Sequence, residues 1–253
     1  MTEALVPTTE RPKRGPLREL LVATGAACIA VALPSALLTS HRASDDGWPL
    51  MAAMAVLAFA SYPLSRTSNV FAQLFARAIW WQGLVFGLVL ALGHALGEIN
   101  GPISTAIPLY LVGGVLTLAA AGRAGLDFES ARFAPVAFRK SLSASLVMAM
   151  ADTIALLFYA GIVLVDGSMR APTFIDAAEF TGAAMVMSLA IAGLYRIKVW
   201  GLALNLVANV LIATLALTGV FDIPEVIAFG LAATAVAQLL LPIPLLKRMV
   251  SKR

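Results

Sequence analysis

Residues 141–165 read SLSASLVMAMADTIALLFYAGIVLV, and Asp152 is the only charged side chain among them. Arg139 and Lys140 precede this stretch, and Asp166 follows it. An α-helix needs about 20 residues to cross the hydrocarbon core of a bilayer, which is roughly 30 Å thick. An apolar run of this length between charged residues therefore predicts a membrane-spanning helix.

Seven further apolar stretches lie along the chain of 253 residues, at 20–40, 47–65, 78–97, 99–122, 180–195, 199–221 and 226–246. The stretch at 180–195 is short for a span unless it includes part of 171–179. The chain is 60% hydrophobic and 13% charged, which is more apolar surface than a soluble domain of this length can bury. Backbone groups in lipid must be hydrogen-bonded internally, and these runs are too long and continuous for barrel strands. The sequence predicts an all-α, polytopic membrane protein with eight transmembrane helices.

The basic residues indicate how these spans are oriented. The chain has 18 Lys and Arg residues. All of them except Arg42 and Arg170 lie at the two ends of the chain or in the connections that follow even-numbered spans. The positive-inside rule makes the basic side cytoplasmic, so both termini are predicted to be cytoplasmic. This topology explains the net charge of +4, and no nucleic-acid partner is expected. The alanine-rich composition and the lack of an organelle address favour a bacterial inner membrane.

A basic connection between spans 4 and 5 divides the chain into two groups of four spans. The predicted organisation is a disordered basic tail at 1–16, a first half at 17–122, a cytoplasmic linker at 123–140, a second half at 141–248 and a basic tail at 249–253. The linker mixes Phe128, Phe133 and Phe138 with basic residues. We interpret it either as an amphipathic segment that lies on lipid headgroups or as a docking surface or gate.

Two faces of small residues predict close helix packing. Gly83 and Gly87 are four residues apart in span 3, and Ala184, Ser188 and Ala192 form a stripe in span 6. Small residues let transmembrane helices approach closely. Each face serves either to pack the bundle or to bind a second copy or another membrane protein, in addition to the surrounding lipid bilayer.

Tryptophan, histidine and cysteine give no indication of a cofactor. Trp80, Trp81 and Trp200 lie near the predicted inner interface and Trp48 near the outer one, as expected for an aromatic belt. The two histidines, His41 and His94, have no short fixed spacing, and Cys28 is the only cysteine. No metal site, cofactor or internal disulfide is predicted.

Asp152 is predicted to lie deep in the bilayer. It is twelve residues from Lys140 and fourteen from Asp166, or about 18 Å and about 21 Å along a helix. A charged carboxylate at this depth costs a few kcal/mol, so Asp152 should face the protein interior or a hydrated cavity. Ser145 and Tyr159 lie seven residues to either side and share its helix face.

Further polar side chains lie at comparable depth in two other predicted spans. Span 7 contains Asn205 and Asn209, and span 8 contains Thr234 and Gln238. Their depths are compatible with one polar layer shared by spans 5, 7 and 8. Spacing along single helices does not determine whether these side chains face one another.

Two functions follow from these residues. In the first, the protein is a transporter, channel or permease subunit for a small solute or ion, and Asp152 binds or relays a proton or cation. In the second, it is a non-catalytic scaffold or accessory subunit, and Asp152 is a protonated acid hydrogen-bonded to a neighbouring helix. No catalytic activity is predicted, because no hydrolase, metalloprotease or nucleotide-binding motif stands in a suitable place. Ser145 also lies about 10 Å along the helix from Asp152, too far for direct activation.

Overall fold

The computed structural model describes residues 15–38, 48–97, 104, 106–122, 126, 128, 131, 134–166, 171–218, 225–240, 242, 243 and 245. These residues form eight α-helices and no β-strand. The helices are α1 (Pro16–Leu38), α2 (Trp48–Leu64), α3 (Val70–Ala95), α4 (Ala106–Gly122), α5 (Val136–Asp166), α6 (Ala171–Tyr195), α7 (Val199–Leu217) and α8 (Glu225–Leu240). The prediction of an all-α chain is confirmed for this part. Most of the predicted N-terminal tail, the whole C-terminal tail, His41 and Phe133 lie outside the described residues.

Three of these helices contain segments that are long and apolar enough to cross a membrane: Val70–Ala95, Val136–Gly161 and Ala177–Tyr195. Shorter apolar segments occur in α2, α4 and α7. Helix α6 begins at Ala171, so the short stretch at 180–195 does include the residues before it.

Helix α3 begins earlier than the predicted span at residue 78. Asn69 caps its N-terminus, where Oδ1 accepts hydrogen bonds from the backbone N–H groups of Phe71 at 2.8 Å and Ala72 at 3.4 Å. Asparagine is a preferred N-cap residue because its side chain satisfies N–H groups that the first turn leaves unpaired. Gly97, with a positive φ of 77°, follows the other end of the helix. Glycine adopts this left-handed conformation without a steric penalty, so α3 terminates there.

The helices pack as two groups of four that meet at α3. In the first group, α1 contacts α2 and α4, and α3 also contacts both of them. In the second, α5 packs on α6, α6 on α7, and α7 on α8. Helix α3 also contacts α5 and α8, which brings the two groups together. Each group has its own hydrophobic core, one including Val22, Ile79 and Trp80 and the other including Leu142 and Met187.

The small-residue face of α3 is used inside the chain. A Cβ atom on Gly83 would lie 3.0 Å from Ile29 Cδ1 of α1, and one on Gly87 would lie 2.8 Å from Tyr110 Cβ of α4. Of the two interpretations of this face, the structure shows bundle packing. Gly83 and Gly87 are not exposed for contact with a partner, because helices of the same chain cover both glycines.

Several apolar residues of the 123–140 linker are packed into the protein, although Pro135, Val136 and Ala137 are exposed. Leu126, Phe128 and Ala131 are at most 3% exposed. The Phe128 ring lies edge-on to Tyr195 of α6, with ring centroids 6.1 Å apart. Phe138 already belongs to α5 and is also buried. These residues do not lie on lipid headgroups, because their apolar side chains are enclosed by neighbouring helices.

The tryptophans differ from one another in their surroundings. Trp80 is fully buried, and its Nε1 donates a hydrogen bond to Ser61 Oγ of α2 at 2.8 Å. The prediction of an interfacial belt is wrong for Trp80, because the ring packs between helices. Trp200 is half exposed, as a belt residue would be, and the side chain of Trp48 lies outside the described part.

Candidate functional site

Asp152 lies in the middle of α5 on the side that faces α8. Its side chain is partly buried. Gln238 Nε2 of α8 donates a hydrogen bond to Asp152 Oδ2. This bond involves one of the two carboxylate oxygens of Asp152.

The hydrogen bond to Asp152 is the end of a longer polar chain. Asn209 Nδ2 of α7 donates to Gln238 Oε1 at 3.0 Å. The same Nδ2 also donates to the backbone carbonyl of Asn205, one turn earlier, at 2.7 Å. Asn205, Asn209 and Gln238 are at most 1% exposed. We call Asn205, Asn209, Gln238 and Asp152 the polar chain; it connects α7, α8 and α5.

Three buried polar atoms on α5 and α7 have no hydrogen-bond partner among the described residues. They are Asn205 Nδ2, at the far end of the polar chain, and Arg139 Nε and Ser145 Oγ on α5. Leaving such a group unpaired costs about 1–3 kcal/mol, and ordered water is the usual partner. Ser145 shares a helix face with Asp152 in the sequence, but the structure does not bring it into the polar chain.

A cavity of about 360 Å³ lies next to Asp152. Helices from both halves of the molecule line it, with α3 in between. Asp152, Tyr159 and Thr234 all line the cavity. The Tyr159 ring also stacks on Phe180 of α6, with centroids 5.9 Å apart.

The seven predicted site residues therefore separate into three sets. Asp152, Tyr159 and Thr234 line the cavity, and Asn205, Asn209 and Gln238 form the buried part of the polar chain. Ser145 belongs to neither set. Asp152 is the one residue that belongs to both, because it accepts from Gln238 and also lines the cavity.

Sequence reasoning missed the contribution of α3 to this site. Gln82 lines the cavity, and its Nε2 donates to the backbone carbonyl of Ala151 at 2.5 Å, directly beside Asp152. A lone amide in the predicted span 78–97 was the signal that could have found it. Trp81 and Phe86 of α3 and Phe158 of α5 also line the cavity. The sequence predicts Trp81 as a residue of the aromatic belt, because position along the sequence does not show which way a ring points.

The composition of the lining limits the chemistry of this cavity. Most of the described lining is apolar, and Asp152 is the only carboxylate in that part of it. No Lys, Arg or His is found among the described residues that line it. An ion pair between Arg66 and Glu19 lies elsewhere and joins α1 to the connection after α2. A cavity of this kind can accept a cation or exchange a proton.

Comparisons with family models, with curated proteins and with solved structures find no match for this chain. The functional interpretation therefore depends on the geometry at Asp152.

Proposed function

We propose that this protein is an integral membrane transporter, channel or permease subunit for a small solute or ion, with Asp152 as its proton- or cation-binding group. The observation that carries the proposal is that Asp152 lines a cavity of about 360 Å³ between apolar helices. An ionisable residue inside a membrane bundle is expensive to insert, and such residues commonly mark the paths of ions or substrates.

The proposal includes a topology in which all eight helices cross a bacterial inner membrane and both termini are cytoplasmic. The distribution of basic residues supports this orientation. The outer surface also supports it, because large apolar side chains such as Phe59, Leu189 and Val207 are about 60% exposed. Contiguous exposed apolar surface is rare on soluble monomers but is what lipid contacts require.

The transport proposal is tested with purified protein in liposomes. Proton and sodium fluxes would be measured for wild type and Asp152→Asn, with Thr153→Val as the matched control. Thr153 is the next residue, and its Oγ1 donates to the Ala149 carbonyl of its own helix at 2.9 Å. We expect Asp152→Asn to reduce the flux about tenfold or more, a change of about 1.4 kcal/mol in the barrier. Equal flux through Asp152→Asn and wild type would contradict the proposal.

A scaffold or accessory subunit is the second candidate, and the polar chain is the observation that favours it. Hydrogen bonds between helices can serve to hold a membrane bundle together without any transported solute. In this case the stripe on α6 is the proposed partner surface, because Ser188 and Ala192 are exposed while Ala184 is buried.

The scaffold proposal predicts that this stripe holds a second copy or a stable partner. Ala192→Trp should disrupt a complex purified in mild detergent, whereas Val207→Trp on the exposed side of α7 should not. A wild-type protein that is a lone monomer under these conditions would contradict this candidate.

A further inference from the structure

The cavity beside Asp152 combines a single carboxylate with aromatic and aliphatic side chains. Rings from three helices contribute to its lining: Trp81 and Phe86 from α3, Tyr110 from α4, and Phe158 and Tyr159 from α5. The described lining includes no basic side chain to neutralise Asp152. The bond from Gln238 occupies one carboxylate oxygen and holds the group in position.

We propose that this cavity binds a monovalent organic cation, an amine with an apolar body that contains an aromatic ring. The ammonium group pairs with Asp152, and the body packs against Trp81, Phe86 and Phe158. The proposal rests on the proposed function, because it assigns a substrate class to the same carboxylate.

Each part of the proposed ligand is complementary to a feature of the cavity. A cation is attracted both by a carboxylate and by the faces of aromatic rings. An apolar body gains about 25 cal/mol for each Å² of surface that the lining removes from water. The volume of about 360 Å³ lies within the range of small-molecule sites, roughly 300–1,000 Å³.

Other ligand classes fit this lining less well. An anion would be repelled by Asp152, and the described lining offers no basic group to receive it. A hard metal cation such as Ca²⁺ requires about six to eight oxygen ligands. The described lining supplies few oxygen-bearing side chains, chiefly those of Asp152, Gln82, Tyr110, Tyr159 and Thr234. A sugar would leave most of its hydroxyl groups unpaired against apolar walls.

The test is equilibrium binding to the full-length protein in lipid nanodiscs, measured by titration calorimetry. The probes are 4-phenylbutylammonium and the neutral 4-phenylbutanol, with empty nanodiscs to subtract partition into lipid. We expect wild type to bind the ammonium at least about tenfold more tightly than the alcohol, and Asp152→Asn to lose this preference. Phe158→Leu should weaken the affinity for 4-phenylbutylammonium about threefold or more and leave the affinity for butylammonium unchanged.

Several outcomes separate this inference from the proposed function. Equal affinity for the two probes on wild type overturns the inference, and this comparison holds even if Asp152→Asn does not fold. Proton or sodium flux that depends on Asp152, without ammonium binding, overturns the inference and leaves the transport proposal intact. Ammonium binding without flux of protons, sodium or 4-phenylbutylammonium itself supports the inference and contradicts transport. If the protein shows neither ammonium binding nor flux, both the inference and the transport proposal are overturned.

Discussion

Gln238 is fully buried and uses both ends of its amide to connect two other helices. Its Nε2 donates to Asp152 on α5, and its Oε1 accepts from Asn209 on α7. A buried amide with both ends bonded avoids the desolvation penalty of an unpaired polar group. The geometry therefore positions the carboxylate of Asp152, which also lines the cavity.

Two substitutions at Asp152 separate its hydrogen bond from its charge. Asp152→Asn keeps an oxygen that can accept from Gln238, so we expect the free energy of unfolding to change by less than about 1 kcal/mol. Asp152→Leu leaves Gln238 Nε2 unpaired in the interior and should lower the free energy of unfolding by about 1–3 kcal/mol. Unfolding in mixed detergent micelles measures both variants. Equal losses for the two would show that the bond from Gln238 does not stabilise the fold.

The bond between Asn209 and Gln238 can be measured by a double-mutant cycle with Asn209→Leu, Gln238→Leu and the double variant. Hydrogen bonds between membrane helices give coupling energies of about 0.6 kcal/mol on average and about 1.7 at most. We expect a favourable coupling in this range, because the two side chains lie 3.0 Å apart and are buried. Additive effects of the two substitutions would contradict direct contact between them.

At the scale of whole helices, α1 and α4 approach each other most closely through two glycines. A Cβ atom on Gly25 would lie 2.7 Å from the carbonyl oxygen of Gly113, and one on Gly113 would lie 2.7 Å from that of Gly25. These neighbours are backbone atoms, which cannot move aside as the end of a flexible side chain can. The contact therefore requires glycine on both helices.

Alanine at these positions should separate α1 from α4. We expect Gly113→Ala to lower the free energy of unfolding by about 1–3 kcal/mol, the usual penalty for overpacking. Gly182→Ala on α6 is the matched control, because a Cβ atom there meets nothing within 4 Å. Since alanine favours helix more than glycine does, the control should be neutral or up to about 1 kcal/mol more stable. Thermal unfolding compares the two, and equal stability would contradict the close approach of α1 and α4.

Across the whole molecule, apolar side chains cover much of the outside while the polar chain lies inside. Val56, Leu211 and Met185 are among the large apolar side chains that are more than half exposed. Asn205, Asn209 and Gln238 are buried between helices. This distribution is the one expected of a protein whose surrounding solvent is lipid.

Cysteine labelling tests the proposed topology at the two ends of α3, one of the three long apolar helices. In a Cys28→Ser background, Leu96→Cys should react with a membrane-impermeant maleimide in intact cells. Ser68→Cys should react only after the membrane is permeabilised. Both original side chains are exposed, so burial in the protein does not limit the reaction. Reversed labelling would show the opposite orientation, and equal labelling would show that α3 does not cross the membrane.

The sequence predicted the positions of the helices along the chain better than the neighbours of individual side chains. Run length and hydropathy are local properties, and they placed α5 and α7 with boundaries close to those observed, whereas α6 begins at Ala171, before the predicted stretch at 180–195. Helix α3 was predicted too short, because an N-cap at Asn69 extends it beyond the apolar run. The sequence pattern predicts Trp80 at the membrane interface and leaves the neighbours of Gly87 open, since apolar and small residues look alike in sequence whether they face lipid or protein.

The sequence by itself determined that the described chain is helical and that one carboxylate lies deep in an apolar segment. Both follow from composition and from the fixed rise of a helix, which need no knowledge of other segments. Only the tertiary structure decided that Gln238, rather than an asparagine, reaches Asp152, and that Gln82 and a cavity lie beside it. These features depend on the rotation of each helix about its axis, which is set by packing against distant parts of the chain.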